Sequence, residues 1–128
     1  MFPKISVRLY VTGESMDPAA VTRTLGLDPS VTWRKGEKRT GIVPAKLDTW
    51  AYYVGDSEDV DLTPLLNEML EVLLPRREAF LDLRRRGELD VELALVAQGG
   101  DVAPYFEVEP DSLRAIADLG AHLTLSIS

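Results

Sequence analysis

Residues 61–86, DLTPLLNEMLEVLLPRREAFLDLRRR, constrain the fold more than any other part of the chain. Leu62, Leu65, Leu66, Met69, Leu70 and Leu73 recur at helical spacing on one stripe, and Asn67, Glu68 and Glu71 fall on the other side. Thr63-Pro64 supplies a start, because proline in a first turn gives up an N–H that would have no partner there. Burying six such side chains is worth about 10 kcal/mol gross, an upper bound. A sheet is expected to lie against this stripe. Pro75 interrupts the pattern and predicts a break, with a second piece from Arg76 to Arg86 buried through Ala79, Phe80 and Leu83.

The flanking segments alternate instead. Ile5, Val7, Leu9 and Val11 interleave with Ser6, Arg8, Tyr10 and Thr12, the period of a half-buried strand. Asp17-Pro18 predicts a capped short helix carrying Val21 and Leu25 and closed by Gly26. Val31–Arg34 predicts a short strand, residues 30–46 a glycine-rich basic loop, and Thr49–Val54 an aromatic strand. Gly55–Asp59 predicts an exposed acidic turn. Leu89, Val91, Leu93, Leu95 and Ala97 predict another strand, and Tyr105–Val108 its hairpin partner. Pro110-Asp111 opens a helix with Leu113, Ile116 and Ala117 inward, Gly120 caps it, and Leu123, Leu125 and Ile127 end the pattern as a strand. The expected order is βαββαββαβ: an α+β two-layer sandwich, a largely antiparallel sheet with helices on one face, forming one domain over 1–128. Asp17–Gly26 and Asp111–Gly120 echo one another in length and Leu-Gly ending. Two related halves would account for this pseudo-repeat, as would common cap chemistry.

These residues also carry a resemblance. The alternating first strand, Leu25-Gly26-Leu27-Asp28-Pro29, Lys35-Gly36, Trp50 opening a strand, the leucine-rich helix ending at Pro75, and Leu119-Gly120-Ala121 stand in the order found in the bacterial domain-of-unknown-function family number 4279. The chain resembles that family over nearly its whole length. The resemblance implies a small bacterial α+β domain and no particular reaction. Ser126, Ile127 and Ser128 depart from the acidic and aromatic residues expected near that family's end.

Charge narrows the functional classes. The net charge is −7. Residues 1–87 hold 13 acids and 13 bases, whereas residues 88–128 hold eight acids and only Arg114 as a base. Such a surface repels phosphate backbones, so nucleic acid is not an expected partner, while a basic protein at the acidic C-terminal face is. With no cysteine there is no disulfide, thiolate site or cysteine nucleophile. No signal peptide and no membrane span is apparent, which predicts a cytoplasmic protein, monomer or homodimer.

No constellation announces catalysis. His122 is the only histidine and reads as a surface residue. Asp56, Glu58, Asp59 and Asp61 lack the spacing of a calcium loop and read as a solvated turn. Arg84, Arg85 and Arg86 suit the negative end of a helix. No catalytic residue, metal or cofactor is assigned. The best candidate is ligand binding by Trp33, Arg34, Lys35, Trp50 and Tyr52, with Lys38 nearby. Strand alternation puts Trp50 and Tyr52 on one face and Ala51 and Tyr53 on the other, and Trp33 is free to join either. The competing expectation is that the tryptophans fill the gap between helix and sheet. The sequence thus reads as a non-catalytic binding module, immunity-type in one concrete version. The alternatives are a small enzyme or sensor holding an anionic metabolite around Trp33 and Trp50, and a subunit that dimerises through an edge strand.

Overall fold

The computed structural model describes residues 1–37, 47–87 and 89–128. Lys38, Arg39, Lys46 and Glu88 lie outside the described residues. Five strands, β1 (Lys4–Gly13), β2 (Val31–Trp33), β3 (Asp48–Glu58), β4 (Asp90–Gln98) and β5 (His122–Ile127), form one sheet in the order β2-β3-β1-β4-β5. Four helices, α1 (Pro18–Leu25), α2 (Thr63–Leu73), α3 (Arg77–Arg86) and α4 (Pro110–Asp118), complete the described structure. Every pairing is antiparallel except β4 with β5. The architecture is therefore α+β, as expected.

Periodicity explains the layers. Ile5, Val7, Leu9 and Val11 are all buried, and their cross-strand partners Val54, Trp50, Leu95, Leu93 and Val91 are buried with them. Against this face pack Leu66, Met69, Leu70 and Leu73 of α2, Phe80 and Leu83 of α3, Val21 and Leu25 of α1, and Ile116 of α4. All four helices thus share one face, and among the described residues the other face of the sheet carries no helix. Pro75 does break the long helix: a single 3₁₀ turn, Leu74–Arg76, separates α2 from α3. The α1 caps also match the sequence reading. The Asp17 side chain accepts from the Ala19 N–H, and Gly26 takes up a left-handed φ of 62° that glycine tolerates best.

Three expectations are corrected. Tyr105–Val108 is no hairpin strand. Among the described residues it makes a single bridge, Tyr105 to Asp61, because the free side of β4 is taken by β5. The segment instead runs beside the start of α2, where Tyr105 N–H donates to Val60 O at 2.6 Å and Leu62 N–H to Tyr105 O at 2.8 Å. The parallel β4–β5 pair needs a crossover, and α4 provides it. Second, Gly55–Glu58 is not a turn but the continuation of β3. The register with β1 shifts between Ile5 and Ser6, leaving Asp56 as the extra residue of a bulge. Gly55 is required there: its φ is 89°, and a Cβ would meet Leu65 Cδ1 at 2.6 Å. Third, Leu113 and Ala117 of α4 are exposed and only Ile116 is buried. The two-half echo holds at the glycine ends, where Gly26 and Gly120 take left-handed φ values of 62° and 72°, and differs at the starts. Asp17 caps α1 with its side chain, whereas Asp111 stands inside the first turn of α4, whose N-cap Glu109 makes no side-chain bond.

Candidate functional site

Register decides where the aromatic candidates go. Trp50 pairs with Val11 and therefore points into the helix layer, where it is 0% exposed and its Nε1–H donates to Thr22 Oγ1 at 3.0 Å. Tyr52 pairs with Leu9 on the same face and is half-buried against the core. Trp33 pairs with Thr49, one residue out of phase with Trp50, so it lies on the opposite, helix-free face. The five sequence candidates are thus not brought into one groove. Trp33 shares its face with Tyr53, Tyr10 and Arg8. There the Arg8 guanidinium sits 4.6 Å from the Tyr53 ring centroid, and Tyr10 meets Tyr53 edge-on at 6.1 Å.

Arg34 and Lys35 belong to a third location, the end of the sheet where β1 runs into α1. The organising group is Asp48, which sequence reasoning missed. It is 4% exposed and accepts from Lys35 N–H at 2.6 Å and Met16 N–H at 3.2 Å. Arg34 lies alongside, its Nε 3.8 Å from Asp48 Oδ1, while its Nη1 donates to Met16 O at 3.2 Å. Asp48 thus ties the β1–α1 loop to the segment after β2. The only sequence signal was an acid directly before a strand and after a basic loop, which does not reveal its partners. A cavity of about 460 Å³ opens here, lined by Glu14, Asp17, Asp48, Arg34 and Lys35 among others. A neighbouring cavity of about 440 Å³ has an apolar floor of Met16, Val21, Leu83 and Leu89, with Arg86 at its rim.

The arginines are held by structural work. Arg76 donates to Val72 O at 2.7 Å, Leu25 O at 3.0 Å and Gly26 O at 3.4 Å, so it caps the carbonyl end of α1. Arg86 pairs with Asp82 at 2.8 Å. His122 Nδ1 lies 3.4 Å from Asp90 Oδ1 on the surface. Among the described residues no three acids or histidines are placed to hold a metal ion. No helix among them is long and apolar enough to cross a membrane.

A fourth region gathers charge. The Tyr105–Glu107 segment is bonded to residues 60–63 through Tyr105 and through Glu107 N–H, which donates to Thr63 Oγ1 at 2.9 Å. This brings Asp61 beside Tyr105 and Glu107, a few residues along the chain from Asp56, Glu58 and Asp59 on one side and from Glu109 on the other. Tyr105 is 54% exposed among them and its hydroxyl donates to Glu107 Oε2 at 3.2 Å. The Glu107 charge, its hydrogen bond, partial desolvation and Asp61 together raise the Tyr105 pKa above the ordinary phenol value.

Comparison with curated proteins and with solved structures finds no match. The family model described as Domain of unknown function (DUF4279) matches residues 3–128. Every strand and helix described above falls within that match, and the chain belongs to the DUF4279 family.

Proposed function

We propose that this chain is a non-catalytic binding module that offers an acidic face to a basic protein partner. One observation carries the reading: the bonding of Tyr105–Glu107 to residues 60–63 joins two acid-rich segments that are distant in sequence into one surface. Opposite charge on a partner would accelerate encounter and fix orientation, and exposed Tyr105 would add contact area at the centre. An immunity-type protein that masks a basic toxin is the concrete form this reading takes.

The test compares two variants of equal net charge. In one, Asp56→Asn, Asp59→Asn, Glu107→Gln and Glu109→Gln neutralise the face. In the other, Glu68→Gln, Glu71→Gln, Glu78→Gln and Asp82→Asn remove the same charge from α2 and α3. With a lysine- and arginine-rich peptide as probe, the first set should weaken binding about tenfold or more at low salt, a loss of about 1.4 kcal/mol per decade, and flatten its salt dependence. The second set should change it less than about threefold. Equal losses would leave only net charge and overturn the reading.

The second reading, a small enzyme or sensor holding an anionic metabolite near Trp33, Arg34 and Lys35, has the roughly 460 Å³ cavity in its favour. Against it, Glu14, Asp17 and Asp48 line the same cavity, and Trp50 is sealed beneath α1. An anion there would meet three carboxylates for two bases.

A further inference from the structure

The two ends of the sheet are protected unequally. On one side β2 has only three residues. On the other, β5 has six, and its sequence, HLTLSI, contains no lysine, arginine, aspartate, glutamate or proline. It sits in the segment that carries the chain's whole excess of acids over bases. Edge strands of soluble proteins ordinarily carry a charge, a proline or a bulge that blocks further pairing. β5 pairs with β4 in unbroken register from His122 to Ile127 and has none of these.

The backbone geometry shows which groups face outward. Ser128 N–H donates to Ala97 O at 3.0 Å, and its carbonyl accepts from Gly99 N–H at 2.8 Å. Both groups of Ser128 therefore point at β4, and alternation along the strand turns those of Ile127, Leu125 and Leu123 the other way, to the edge where no described strand pairs. The side chains of the same residues lie on the helix-bearing face, in register with Leu93, Leu95 and Ala97. Yet the helices leave Leu125 47% and Ile127 60% exposed, and Leu113 of α4, the helix packed on β5, is 51% exposed.

From this we infer that β5 is the docking edge for a second copy of this chain, joined antiparallel about a two-fold axis at Leu125. In that register Leu125 faces Leu125 of the second copy and Leu123 faces its Ile127, so every outward backbone group finds a partner. On the helix-free face Thr124 meets Ser126, a pair that suits a β ladder. Apolar residues meet apolar residues and no charge is buried. Among the antiparallel registers that set outward groups against outward groups, this one engages Leu123, Leu125 and Ile127 of both copies at once, which favours a second copy over an unrelated peptide. A single strand pair buries less than the roughly 800 Å² per partner of a standard interface, so the dimer forms in the micromolar range. Two chains of charge −7 repel, so added salt tightens it.

Sedimentation equilibrium from about 5 to 500 µM tests this. The mass should climb from the 14.2 kDa of one chain towards twice that value, and do so at lower concentration in high salt. Leu125→Pro removes only an outward N–H, which an edge strand tolerates, so this variant should melt near the wild type and stay monomeric throughout. The chain has no cysteine, so single replacements report register directly. Leu125→Cys should cross-link on mild oxidation at least about tenfold faster than Ile127→Cys, whose copies lie four residues out of register. A wild type that remains monomeric, a Leu125→Pro variant that dimerises equally well, or equal cross-linking rates would each overturn the inference. None of these outcomes bears on the acidic face, whose test uses different residues and a different readout.

Discussion

The two faces of the central strands β1 and β3 are built from the same backbone and do opposite things. On one face Val7, Leu9, Val11 and Trp50 are sealed under helices. On the other, Arg8, Tyr10, Tyr53 and Trp33 remain partly open, and Arg8 lies across Tyr53. A one-residue phase difference assigns each side chain to the buried face or to the open one. Two tryptophans that look equivalent in the sequence therefore have unrelated roles: Trp50 is a core anchor with its indole N–H satisfied by Thr22, and Trp33 is part of a helix-free surface.

The largest break in this contrast should come from Trp50→Ala, which empties the space between β3 and α1. A loss of about 3–5 kcal/mol is expected in urea unfolding, enough to threaten folding altogether. Next comes Asp48→Ala, which strands the buried N–H of Met16 and the partly buried one of Lys35. The same assay should show about 1–3 kcal/mol lost, and less for Asp48→Asn, which keeps one acceptor. Arg8→Ala, on the open face, should cost only about 0.5–1 kcal/mol. Fluorescence sharpens the comparison without perturbing stability much: in a Trp33→Phe variant, which keeps Trp50, emission should be blue-shifted and resist acrylamide, while Trp50→Phe should leave the more quenchable Trp33. Equal quenching would erase the distinction between the faces. The smallest effect is at Tyr105. Its raised pKa favours the neutral phenol in the folded chain, so the associated stability is present below the ordinary tyrosine pKa and lost as pH rises through the folded one. Glu107→Gln should lower the Tyr105 titration midpoint, read from phenolate absorbance, and flatten the alkaline fall in stability.

Much of the scaffold was legible because it rests on local rules. The leucine stripe of α2, the break at Pro75, the Asp17 cap and the Gly26 stop each depend on residues within a turn or two of one another. Alternation likewise exposed β1 and β4. The misreadings share a different cause. Whether Trp33 sits beside Trp50 or behind it depends on register between two strands, and composition does not encode register. Tyr105–Val108 has the look of a strand, but β5 occupies the edge it would have used. Gly55-Asp56 reads as a turn because a bulge uses the same residues. Asp48 looks like any loop acid until Met16 and Lys35 are folded onto it.

The position of β1 has a consequence for how the chain becomes folded. It is the first strand in sequence and the middle one in space, flanked by β3 and β4. Leu9 waits for Tyr52 on one side and for Leu93 on the other. Neither neighbour is a hairpin return, so loops of dozens of residues must close before the central ladder gains a single bond. A nascent chain therefore carries β1 unpaired until β3 ends at residue 58, and paired on one side only until β4 ends at residue 98. Refolding should be correspondingly slow, on the millisecond-to-second scale of non-local sheets, with its rate set by the closing of β1 rather than by the far quicker winding of α2.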